Sequence, residues 1–113
     1  MKRYTGRIRV EPTLSSLVSP GETYQTRCRL PHEALHLHEI LVYGDFTLID
    51  LSVNRQHVST KKHASRVTGC YVHHVGKAGI EVNAGGEVVL QLKNETNREL
   101  PMLDAIFEED RRS

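Results

Sequence analysis

Strict alternation of apolar and polar side chains, in short runs cut by turn residues, constrains this chain more than any other feature. A period of two puts successive side chains on opposite faces of an extended strand, whereas a helix needs apolar residues three or four apart. Arg7-Ile8-Arg9-Val10 alternates and stops at Pro12. Tyr24, Thr26, Cys28 and Leu30 share one face of the next run, with Arg27 and Arg29 on the other. Val88, Leu90 and Leu92 form a clean inward row that sends Glu87, Gln91 and Lys93 outward. Between the runs stand turn signals. In Ser19-Pro20-Gly21-Glu22, Pro presets one central residue and Gly accepts a positive φ at the next.

The segment from Leu35 to Tyr43 reads as a strand with His36, His38, Ile40 and Val42 facing one way and Leu37, Glu39, Leu41 and Tyr43 the other. Gly44-Asp45 turns the chain into Phe46–Val53, whose apolar residues on both faces predict a central position or a bulge. Asn54 to Arg66 is polar and basic and reads as a long connection. Short strands follow over 69–75, 80–82, 87–93 and 102–107, with Ala84-Gly85-Gly86 as a turn and Asn94 to Pro101 as a connection. No dozen-residue segment keeps a helical period. About eight short strands at this spacing predict an all-β fold: an antiparallel two-sheet β-sandwich, for which a jelly roll is one available topology.

A length of 113 residues suits one domain over 1–113. The chain lacks Trp, and its 38% apolar content must fill a modest core with aliphatic side chains, so contacts between subunits are expected to add stability. A net charge of +1 sets up no global field toward nucleic acid or a membrane. Lys2, Arg3, Arg7 and Arg9 near one end face an acidic Glu108-Glu109-Asp110 near the other. Cys28 and Cys70 lie in strand runs and form no CxxC pair, so they read as free buried thiols. No secretion leader and no membrane-length apolar run is visible. Asn94-Glu95-Thr96 matches the glycosylation triplet, taken here as a chance match.

Seven histidines invite a metal reading. On a strand His36 and His38 project together, and only one of His73 and His74 could join them, with His74 the candidate. A cupin-type site opens with the same His-x-His, but Glu39 follows directly and falls on the opposite face. No cofactor is therefore expected. Gly76-Lys77 lacks the remainder of a phosphate loop, no Gly-x-Ser-x-Gly is present, and Cys70 near His74 fits a structural thiol better than an activated one. The basic stretch offers Arg55, Lys61, Lys62 and Arg66 with no acid among them, suited to a carboxylate-rich or phosphate-rich partner. It has no aromatic side chain on which bases would stack, so nucleic acid is not expected.

The order Phe46-x-Leu48-Ile49-Asp50-Leu51-x-Val53-x-x-Gln56, Gly79-Ile80, Val88 through Thr96 and Asp104-Ala105-Ile106-Phe107 resembles small β-sandwich proteins among phage structural components. The resemblance covers about the last two-thirds of the chain. It implies a non-enzymatic role in virion decoration, a minor capsid position or a fibre base, usually as a homo-oligomer or on a repetitive protein surface such as a capsid. It carries over no catalytic residue. The implied location is the virion for a phage-encoded chain and the cytoplasm otherwise. Two other readings stand beside it: a cupin-like β-barrel holding a metal or small ligand through His36 and His38, and an adaptor that binds an acidic partner through the basic stretch.

Overall fold

The structure is a computed structural model and describes residues 4–30, 35–64, 70–76, 79–83 and 85–109. Its strands are β1 (Tyr4–Val18), β2 (Thr23–Arg29), β3 (Leu35–Tyr43), β4 (Thr47–Val53), β5 (Gln56–His57), β6 (Thr60–Ala64), β7 (Cys70–Val75), β8 (Ile80–Val82), β9 (Glu87–Lys93) and β10 (Leu100–Glu109). They form two sheets that do not close into a barrel. One is six-stranded in the order β10-β1-β3-β7-β6, with β8 pairing β3; the other runs β2-β9-β4-β5. The all-β two-sheet expectation holds. The smaller sheet is antiparallel, but β1 and β3 pair in parallel, so the larger sheet is mixed. A barrel of cupin type is not the architecture.

The inward rows meet in one core. Ile8, Val10, Leu37, Ile40, Val42 and Val75 come from the larger sheet, and Leu51, Val53, Val88, Leu90 and Leu92 from the smaller. Val88, Leu90 and Leu92 are fully buried, as their alternation predicts. Tyr24 and Phe46 add an edge-to-face contact with ring centroids 5.5 Å apart. The turn at Ser19–Glu22 forms as expected: Glu22 N–H donates to Ser19 C=O at 3.0 Å and Gly21 sits at φ 79°. It carries the chain from β1 in one sheet to β2 in the other.

Two strands depart from the alternation. On β3, Gly6 pairs with Leu37 and Arg7 with Glu39, so His38 has no counterpart on β1. The opposite edge of β3 breaks at the same place, because β8 pairs residues 35–37 and β7 pairs residues 39–43. This bulge brings Leu37 to the core along with Ile40 and Val42. The expected shared face of His36, His38, Ile40 and Val42 therefore does not exist. On β4 the register skips Ile49, which leaves it 48% exposed. Being a central strand and carrying a bulge, the two explanations offered for the apolar residues on both faces of β4, are both true.

The described part of the stretch expected as a long connection contains two strands, β5 and β6. Val53-Asn54-Arg55-Gln56 closes a two-residue hairpin with φ of 50° at Asn54 and 70° at Arg55, the backbone of a type I′ turn. The chain then changes sheets between adjacent residues. Val58 N–H donates to Leu51 C=O of the smaller sheet at 2.9 Å, while Ser59 C=O accepts from Gly76 N–H, beside the larger one, at 3.1 Å.

Candidate docking face

With Ile8, Val10, Ile40 and Val42 pointing in, their alternates point out and form the outer face of the six-stranded sheet. The register aligns them in rows. One row runs Glu108, Arg7, Glu39, His74, Lys61 across β10, β1, β3, β7 and β6. The next runs Ile106, Arg9, Leu41, Val72, and beside it Tyr43 pairs with Cys70. The ionic row is stitched by Arg7 Nη1 to Glu39 Oε1 at 3.2 Å and, diagonally, Arg9 Nη1 to Glu108 Oε2 at 2.8 Å. Arg9 also lies 3.2 Å from Glu11 and 5.4 Å from the centroid of the Tyr43 ring. Its pKa is raised, chiefly by the hydrogen bond to Glu108. Leu41, Tyr43 and Val72 are half-buried, and Ile106 is 52% exposed. Leu41, Tyr43 and Val72 thus form an apolar patch, Arg9 separates it from Ile106, and charges of both signs surround it.

The three proposed metal ligands are dispersed. His36 points its Nδ1 at Glu81 Oε1, 3.0 Å away, His38 is the bulged residue, and His74 lies opposite Glu39 on β7. Among the described residues no three His, Cys, Asp or Glu side chains gather as a metal site would require. The basic residues are dispersed too. Arg55 belongs to the hairpin turn of the smaller sheet, whereas Lys61 and Lys62 stand on β6 of the larger. Arg66 lies outside the described residues. Both cysteines are free and buried, and burial raises the Cys28 pKa.

Sequence reasoning missed an Asp-His-Ser cluster on β4 and β5. His57 Nδ1 lies 2.9 Å from Asp50 Oδ1 and 3.5 Å from Ser52 Oγ. A proton relay needs the acid and the nucleophile on opposite ring nitrogens. Here both meet Nδ1, so the cluster is not arranged as a hydrolytic triad. Asp50 also borders an open groove of about 310 Å³ shared with Ile49, Val58, Ser59 and Thr60.

Asn94, the first residue of the polar connection after β9, is fully buried. Its Nδ2 donates to Val18 C=O at 2.9 Å and Arg98 C=O at 2.8 Å, and its Oδ1 accepts from Thr96 N–H at 2.9 Å and Thr96 Oγ at 2.6 Å. The amide of the glycosylation triplet is thus committed to holding β1 against the end of β9.

A second unanticipated feature links the sheets. Tyr24, Thr26 and Cys28 on β2 reach the backbone of Leu103, Ala105 and Phe107 on β10. Tyr24 Oη donates to Leu103 C=O at 3.1 Å and accepts from Leu103 N–H at 2.8 Å. Thr26 Oγ accepts from Ala105 N–H at 3.3 Å, and the Cys28 thiol lies beside the Phe107 backbone. The strands advance together, two residues per rung.

No family model, curated protein or solved structure matches this chain.

Proposed function

We propose that this protein is a non-enzymatic assembly component that associates with a second copy of itself through the outer face of the six-stranded sheet. The observation that carries the reading is the patch Leu41, Tyr43 and Val72, with Ile106 beyond Arg9, set among the Arg7–Glu39 and Arg9–Glu108 pairs. A two-fold contact must be self-complementary. On this face β10 carries Asp104 and Glu108, and β1 beside it carries Arg7, Arg9 and Glu11, so charges of both signs lie next to one another. With both signs on one face, a two-fold contact has acids and bases available to pair around the apolar patch. The resemblance to phage structural proteins supports the same class of role, a compact sandwich added to a repetitive protein surface.

Mass measurement by sedimentation over a concentration series tests this. The expected result is reversible association, weakened by added salt and by Ile106→Asp, a change at an exposed position that should leave the melting curve nearly intact. A protein that stays monomeric at the highest concentration overturns the reading.

A further inference from the structure

We propose that the outer edge of β6 accepts an extended acidic peptide as an added strand of the six-stranded sheet. β6 ends the sheet order, and among the described residues nothing pairs with its far side. Alternate residues of such a strand turn N–H and C=O groups outward, a template for strand addition. The strand is regular: five consecutive pairs, Thr60↔Val75 through Ala64↔Tyr71, run without a register shift. It contains no proline.

Lysines on an edge often serve to repel pairing, so the arrangement of these two matters. Lys62 is folded back, with Nζ 3.8 Å from the centroid of the Tyr71 ring on the neighbouring strand. It lies over its own sheet. Lys61 is exposed, and its cross-strand neighbour is His74. Among the described residues no ion pair uses either lysine, whereas Arg7, Arg9, Arg27 and Arg98 each have a carboxylate. Adjacent residues of a strand face opposite ways, so the two lysines flank the edge on both faces of the sheet. An incoming strand with two neighbouring Asp or Glu residues would place one carboxylate beside each. Charge complementarity would set the register while backbone hydrogen bonds supply the affinity.

The edge is a different surface from the outer face, so peptide binding and self-association can fail separately. The probe is a synthetic peptide of β-branched residues around a central Glu-Glu pair, with fluorescence anisotropy and amide chemical-shift mapping as readouts. Binding is expected, with the largest shifts at Thr60 to Ala64. Affinity should fall by about tenfold or more in Lys61→Glu and be regained by a peptide with Lys at the position beside residue 61 and Glu kept at the position beside Lys62. A peptide with N-methylated backbone amides should not bind. Equal binding by the N-methylated peptide, or no binding by the Glu-Glu peptide to folded protein, overturns the proposal.

Discussion

At one end of the six-stranded sheet, β10 turns its outer backbone groups toward Tyr24, Thr26 and Cys28 of the other sheet; at the opposite end, β6 has two lysines and no such cover among the described residues. Both are end strands with hydrogen-bonding groups left over from the ladder. At β10, Leu103 N–H and C=O and Ala105 N–H are satisfied within the fold, by side chains that reach across the sandwich. The comparison teaches that a sheet end can be sealed without another strand, provided an inward row carries polar atoms at the right period.

The largest expected effect comes from unsealing β10. Tyr24→Ala removes an aromatic side chain that packs on Phe46 and strands both Leu103 backbone groups, and should cost about 3–5 kcal/mol. Tyr24→Phe keeps the ring and should cost about 1–3 kcal/mol. Urea unfolding measures both. If Tyr24→Phe is neutral, the rung does not seal the edge. Alkali offers a second handle, because burial pushes the Tyr24 pKa up to about 12 from 10.0. A raised folded-state pKa means the native chain holds its proton longer than the unfolded one. The stabilisation is complete below pH 10 and lost as pH rises toward about 12, and Tyr24→Phe should flatten that decline.

Much of this architecture was legible in the sequence. Alternation reports burial directly, so the rows of β2 and β9 were readable, as was the turn at Pro20-Gly21. The bulge at His38 was not, because a single inserted residue leaves composition unchanged while flipping every side chain beyond it. That slip displaced the histidine reading. The parallel pairing of β1 with β3 was equally hidden, since a strand's own pattern does not state its neighbour's direction. The seal did leave a trace. The inward face of β2 carries two hydroxyls and a thiol, where β9 carries only aliphatic groups. A row able to hydrogen-bond, facing inward, marks a strand beside an unpaired edge.

Near the open end a moderate, pH-dependent effect is expected. His73 on β7 is 5% exposed and its Nδ1 has no hydrogen-bond partner among the described residues. Burial lowers its pKa from the usual 6.5, and the nearby Lys62 charge adds to the shift. A depressed folded-state pKa means that the unfolded chain takes up the proton first on acidification. This contribution is therefore fully present above pH 6.5 and is lost as pH falls through the folded-state value. Melting curves from neutral pH into acid should show the decline, and His73→Leu should reduce it. An unchanged slope in that variant would assign the decline to other groups.

The smallest effects separate the two lysines of β6. Lys62 sits on the Tyr71 ring, so Lys62→Ala should lose a cation–π contact worth about 0.5–1 kcal/mol. Lys61 is exposed, and its replacement by Ala should change stability by less than about 0.5 kcal/mol. Differences this small are best read as shifts in denaturation midpoint measured side by side. The ring contact also has its own control. In a Tyr71→Leu background the cost of Lys62→Ala should vanish, because the partner that gave Lys62 its value is gone. If Lys61→Ala proves the costlier change in every background, then Lys61 rather than Lys62 is the residue engaged with the fold. Lys62 would then be the side chain reaching outward, and the charge available to an acidic strand would stand on the opposite face of the sheet.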